Sequence, residues 1–158
     1  MDGVTFISFS LSDFLTFRGI SIADYARELV ASGQSAESCA VQNATNEFDE
    51  ILPDGFETPN HFFRHIANAR GENIGFIWFE RRDDDVFICD FAINENQRGK
   101  GLGRESMREL ERVVREMGTF KISLHVFEHN APALALYRSM GYQASSEDSG
   151  SCFMEKMI

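Results

Sequence analysis

The sequence predicts one mixed α/β domain spanning residues 1–158, a sheet with helices on its faces. Three observations predict it. Strand-like runs and amphipathic stretches follow one another in the order β-α-α-β-β-β-α-β-α-β. A chain of 158 residues is long enough for one core and short for two. Its 43% hydrophobic and 25% charged residues are those of an ordinary soluble globular chain, without repeats, low-complexity tracts or linkers.

Val4 to Phe9 reads as the first strand. Ser21 stands as an N-cap with Asp24 three residues on, and Tyr25, Ala26, Leu29 and Val30 follow at helical spacing until Gly33 stops the helix. Ser35 caps a second helix with the apolar face Ala40, Val41, Ala44, Phe48 and Ile51. Leu52-Pro53-Asp54-Gly55 is a turn by its chemistry. His61 to Ala69 is a strand, joined by Arg70-Gly71-Glu72-Asn73 to a stronger one from Ile74 to Glu80. Arg81 to Asp85 is a polar hairpin loop, and Val86 to Ile93 is the longest buried-looking strand. Leu102, Met107, Leu110, Val113, Val114 and Met117 form one helical stripe, with Glu111–Arg115 and Arg112–Glu116 lacing the opposite face. Gly118 ends that helix, and Ile122, Leu124 and Val126 alternate with Ser123 and His125 as a strand. A short helix from Ala131 to Met140 and a last strand from Cys152 to Ile158 complete the chain.

Composition narrows the function. Cys39, Cys89 and Cys152 are odd in number, widely spaced and free of any CxxC, which indicates reduced thiols and a cytoplasmic protein. No apolar run approaches a membrane span, and Met1-Asp2-Gly3 is no basic signal-peptide start. A net charge of −10 argues against nucleic acid as a partner and suits cationic small molecules or basic peptides, as well as plain solubility.

The most informative stretch is Gln97-Arg98-Gly99-Lys100-Gly101-Leu102-Gly103, between the longest strand and the strongest helix. Alternate glycines strip side chains from a turn, so successive N–H groups can point at one object. A helix opening there adds unpaired amides and a positive dipole end. Arg98, Lys100 and Arg104 surround it with positive charge, and the object expected is a phosphate or pyrophosphate. The spacing is not that of a P-loop, since Gly101 follows Lys100, nor of the G-x-G-x-x-G dinucleotide turn.

A second motif follows the next strand: Asn130-Ala131-Pro132-Ala133-Leu134-Ala135-Leu136-Tyr137, then Arg138-Ser139-Met140-Gly141-Tyr142. The two motifs, in this order and separated by one helix and one strand, resemble the GNAT superfamily of acetyl-CoA-dependent N-acetyltransferases. The resemblance covers Ile74 to Tyr142 directly and the element order over nearly the whole chain. It implies a central, mostly antiparallel twisted sheet of six to seven strands, flanked by about four helices and splayed at strands 4 and 5. Leu52-Pro53-Asp54-Gly55-Phe56-Glu57-Thr58-Pro59-Asn60-His61 also looks like a segment in a bacterial subgroup of that superfamily.

The resemblance implies acetyl-CoA as cosubstrate, no metal, and a primary amine on a small molecule, peptide or protein as acceptor. The amides from Arg98 to Gly103 would cradle the pyrophosphate. The backbone of Phe91, Ala92 and Ile93 would pair with the pantetheine arm and stabilise charge on the thioester oxygen. Asn130 would bond the pantetheine or nearby backbone, and it also suits an N-cap before Pro132. Transfer requires that an ammonium with a pKa of about 10 lose a proton and that the leaving thiolate receive one. Tyr137 matches the family tyrosine beside the sulfur and is assigned as general acid, against the alternative of an aromatic packed on the sheet.

The base is open between Asp90 and Glu80, because Cys89 and Asp90 stand where many members carry a glutamate on the fourth strand. Asp90 in an apolar strand needs a purpose, catalytic or structural. Glu95 stands where a proline is frequent. His61 with His65 and His125 with His129 lack the further ligands a zinc site needs. Phe62, Phe63, Trp78 and Tyr25 read as core, and acceptor specificity is expected from the first two helices. A homodimer is compatible with the resemblance. Two other readings remain: a domain that binds acetyl-CoA as a sensor without turnover, and transfer of an acyl group larger than acetyl.

Overall fold

The computed structural model describes residues 3–148 and 150–158. The chain divides into two compact units, one running to Ser8 and resuming with Asn60–Ile158, the other Phe9–Pro59.

The larger unit is built on a seven-stranded sheet. Its strands are β1 (Thr5–Ser8), β2 (His61–Ala67), β3 (Asn73–Arg81), β4 (Val86–Ile93), β5 (Lys121–Phe127), β6 (Gln143–Asp148) and β7 (Ser151–Met157), in the spatial order β1-β2-β3-β4-β5-β7-β6. Every neighbouring pair is antiparallel except β4 and β5. A parallel pair needs a crossover, and the glycine turn and helix α3 (Leu102–Glu116) supply it. A short helix (Ala131–Ser139, α4 below) follows β5. Alternate residues of the strands, including Ile77, Phe79, Val86, Ile88, Ile122, Leu124 and Met154, join Met107, Leu110 and Val114 of α3 and Tyr137 of α4 in one buried apolar core.

The smaller unit holds helices α1 (Leu11–Ala31) and α2 (Ala40–Ile51) and a 3-10 turn at Gly55–Glu57. Phe14 of α1 packs against Phe48 of α2 and against Phe56, with ring centroids 6.5 and 5.2 Å apart, and Arg18 pairs with Asp49 at 2.9 Å.

Several sequence expectations are corrected here. The first helix begins at Leu11 rather than just after Ser21: Ser10 and Asp13 form a reciprocal capping box, so Ser21 lies in mid-helix. The second helix begins at Ala40 after Cys39, while the Ser35 hydroxyl instead accepts a bond from the Asn43 amide at 2.9 Å. Strand β6 carries exposed polar residues, Gln143 and Ser145 among them, and pairs on one side only, so it shows no apolar alternation. Glu111 lies not on a solvated face but 7% exposed, bonded to Lys156 at 3.0 Å. Tyr25 is no core residue; it is exposed, with its phenol bonded to Glu47.

Candidate active site

All of the predicted site residues fall in the larger unit. Strands β4 and β5 pair only at Val86–Ile122, Phe87–Ser123 and Ile88–Leu124, although β4 runs on to Ile93 and β5 to Phe127. The cause is a β-bulge. Against β3, Phe79 faces Ile88 but Trp78 faces Asp90, so Cys89 is an extra residue without a partner in the register. The bulge bends β4, and beyond it Cys89 to Ile93 have no register partner in β5.

Which backbone groups face the gap follows from ladder alternation. Asn94 donates its N–H to the Ile74 carbonyl at 2.8 Å, so by alternation Ala92 also turns its peptide groups to β3, while Phe91 and Ile93 turn theirs away. Two of those outward groups have partners within the chain. The Phe91 N–H is bonded by the Asp90 carboxylate at 2.9 Å, and the Ile93 carbonyl accepts from Arg98 Nε at 2.9 Å. Arg98 thus anchors the glycine turn to the end of β4.

Gly99 and Gly101 both adopt positive φ, 79° each, and a Cβ at either position would meet nothing within 4 Å. The turn therefore presents open, side-chain-free backbone in a conformation that favours glycine. Gly101 is the N-cap of α3, and no side chain caps that helix. Its first amides thus have no side-chain cap, and the open turn has room for a pyrophosphate. Gly103 serves packing: a Cβ there would lie 3.2 Å from a Leu136 methyl carbon. Leu102 packs against the core. Lys100 is exposed and reaches Gln97 at 3.3 Å, whereas Arg104 bonds the Ser139 hydroxyl at 2.6 Å and ties the start of α3 to the end of α4.

Asn130 is the N-cap of α4, accepting from the Ala133 N–H at 3.4 Å, with Pro132 in the first turn. Tyr137 is buried at 7% exposure. Burial, then the nearby Asp90 charge, push its phenol up to about 12, so it holds its proton at neutral pH. Tyr137 thus lies within electrostatic reach of Asp90.

Glu80 lies on β3, the strand that also carries Trp78. Its carboxylate meets Arg82 Nε at 3.1 Å and His61 Nε2 at 3.4 Å. Cys89 lies close enough to feel both carboxylates, but burial is what chiefly pushes its thiol up to about 12. His61 was set aside in sequence, yet it faces Glu80 in the β2–β3 register and accepts a hydrogen bond from Trp78 Nε1 at 3.0 Å. The signal that could have found it is the Thr58-Pro59-Asn60-His61 end of the turn segment. Among the described residues, no group of three or more His, Cys, Asp or Glu is arranged to hold a metal ion, and no helix is long and apolar enough to cross a membrane.

The model of the Acetyltransferase (GNAT) family matches residues 27–142. The chain belongs to the GNAT family. It is 34% identical over 145 residues to the uncharacterized N-acetyltransferase YdgE of Bacillus subtilis, covering 86% of this chain and 92% of that one. The crystal structure of the uncharacterized N-acetyltransferase YycN from Bacillus subtilis superposes with a TM-score of 0.85 at 29% identity, covering 92% of this chain and 96% of that one. The PaiA N-acetyltransferase of Thermoplasma acidophilum, solved in complex with coenzyme A, shares the fold with a TM-score of 0.68 at 18% identity over 98% and 99% of the two chains. The parallel β4–β5 pair that parts after three residues is the GNAT splay expected from the sequence.

Proposed function

We propose that residues 1–158 form one N-acetyltransferase domain that moves the acetyl group of acetyl-CoA to a primary amine by direct attack in a ternary complex. One observation carries this reading: the gap between β4 and β5 lies beside an uncapped, open glycine turn, with the buried Tyr137 phenol within electrostatic reach of Asp90. Acetyl-CoA supplies an activated acyl group. The amides of Gly99 to Gly103 hold its pyrophosphate, Lys100 screens the outer phosphates, and the two outward groups that Asp90 and Arg98 leave over, the Phe91 carbonyl and the Ile93 N–H, pair with the pantetheine arm. Asn130 fixes the start of α4 and so the position of Tyr137.

Glu80 takes a proton from the incoming ammonium through water. Nitrogen then bonds to the acyl carbon as the carbon–sulfur bond breaks. Tyr137 gives its proton to the departing sulfur and recovers the one the nitrogen loses. Asp90 has a different part: after burial, its charge raises the proton affinity of Tyr137 further, and its carboxylate holds the Phe91 amide. Cys39, Cys89 and Cys152 are all free thiols, which supports a cytoplasmic setting.

The test is acetyl-CoA-dependent product formation, read by mass spectrometry, against a panel of polyamines, amino sugars, amino acids and peptides. One added acetyl group on an amine establishes the reaction. Acetyl-CoA binding without any product overturns it in favour of a non-catalytic sensor.

A further inference from the structure

The relation of Trp78, His61 and Glu80 has no place in the steps above and leads further. Indole Nε1–H is a donor only, so the 3.0 Å bond from Trp78 requires a lone pair on His61 Nδ1. The neutral ring must then carry its hydrogen on Nε2, the nitrogen that lies 3.4 Å from the Glu80 carboxylate. A doubly protonated ring would lose the Trp78 bond. Burial also disfavours that form, against the pull of Glu80 and together with the repulsion of Arg82. His61 therefore offers Glu80 a hydrogen and has no lone pair left with which to act as a base itself. Its side chain is 3% exposed, so water does not compete for that hydrogen.

The arrangement is built into the backbone. Asn60 takes a positive φ of 68°, unusual outside glycine, and its carbonyl accepts the Arg81 N–H at 2.8 Å. That bond extends the β2–β3 ladder past its last pair and sets His61 directly opposite Glu80. Trp78 is held in turn by stacking on Phe63, with centroids 5.3 Å apart. The remaining charged or titratable groups around Glu80 are Arg82, at 3.1 Å, and Cys89 from β4, whose thiol also feels Asp90.

We propose that His61 is a positioning residue for the transfer reaction: in the tautomer imposed by Trp78 it presents Nε2–H to Glu80 and holds that carboxylate aimed at the water through which the acceptor amine is deprotonated. This rests on the reading of Glu80 as the base. His61 neither gains nor loses a proton in the cycle; the ammonium proton moves to Glu80 and from there to solvent.

Two measurements test it. Nitrogen NMR of the histidine rings in the free protein, with His61 assigned through His61→Gln, should show Nε2 protonated and Nδ1 bare at pH 7. Protonated Nδ1, or an imidazolium, overturns the proposal whatever the enzyme acetylates. The second is a double-mutant cycle on kcat, using acetyl-CoA and the panel amine that is acetylated fastest. His61→Leu should lower kcat about tenfold with acetyl-CoA affinity unchanged. His61→Gln, which can accept from Trp78 and donate to Glu80 at once, should recover most of it. In a Glu80→Gln background, His61→Leu should cost nothing more. Equal losses in both backgrounds, or no recovery with Gln, overturn the positioning role. If Glu80→Gln leaves kcat at the wild-type value, it is the assignment of Glu80 as base that has failed.

Discussion

The Asp90 carboxylate accepts the amide hydrogen of its own neighbour, Phe91, at 2.9 Å. Phe91 is the first residue beyond the bulge pair whose peptide turns toward the gap between β4 and β5. One side chain thus occupies a backbone donor at the mouth of the gap and raises the proton affinity of Tyr137. Replacing it separates the two effects, because asparagine keeps the acceptor and removes the charge. Asp90→Asn should lower the Tyr137 pKa below about 12, but not to the ordinary 10.0, because burial, the larger cause, remains. The tyrosinate absorbance titration of the variant, compared with a Tyr137→Phe control, measures it; an unchanged curve would refute the coupling.

Tyr137→Phe removes the proposed acid while keeping the ring in the core. A loss of kcat of about 10² to 10⁴ is expected, with acetyl-CoA affinity nearly unchanged. Calorimetric binding beside steady-state rates separates the two quantities. Turnover near wild type would remove Tyr137 from the mechanism.

At Gly101 the backbone has φ 79° and open space around the missing Cβ. Gly101→Glu incurs about 1–2 kcal/mol of left-handed strain and places a negative charge where a pyrophosphate is expected. Acetyl-CoA affinity should fall at least about a hundredfold, whereas Gly101→Ala shows the strain alone. Tight binding by the glutamate variant would refute the cradle.

Among the described residues, the buried Tyr142 hydroxyl has no hydrogen-bond partner, and its ring lies 5.7 Å from that of Tyr137. A buried, unmatched hydroxyl costs about 1–3 kcal/mol. Tyr142→Phe should therefore raise the denaturation midpoint, and a lower midpoint would show that the hydroxyl has a stabilising role.

Cys89 gives a pH prediction. Its thiol is pushed from 9.0 up to about 12 in the folded chain, so the native state keeps a proton that the unfolded chain releases. The stability this contributes is fully present below pH 9.0 and is lost as the pH rises toward about 12. Cys89→Ala should flatten that decline. In thiol labelling at neutral pH, exposed Cys39 should react first and Cys89 slowly.

Much of this was legible in the sequence because local chemistry and tertiary demand agree. The β4 bounds, the α3 stripe and the cap at Asn130 are written in adjacent residues. The first helix was misread because Ser21 and Ser10 are equally good caps by composition, and only the capping box with Asp13 selects Ser10. Strand β6 left no pattern because an edge strand with polar residues has no face to bury. The pairing of His61 with Trp78 and Glu80 depends on register between strands, which spacing along one strand does not encode. Arg98 was expected at a phosphate, and the structure holds it to Ile93 because the turn doubles back on the strand it leaves.

The three-pair seam at Val86–Ile122 to Ile88–Leu124 also bears on how the sheet is held together. On one side β2, β3 and β4 zip as successive hairpins; on the other β7 joins β5 to β6. Between them there are few ladder bonds to break, so amide hydrogen exchange should divide the sheet there into two cooperative blocks. A ligand whose amides pair with Phe91 and Ile93 would then act as a borrowed strand, and the mechanical continuity of the protein would depend on what it is carrying.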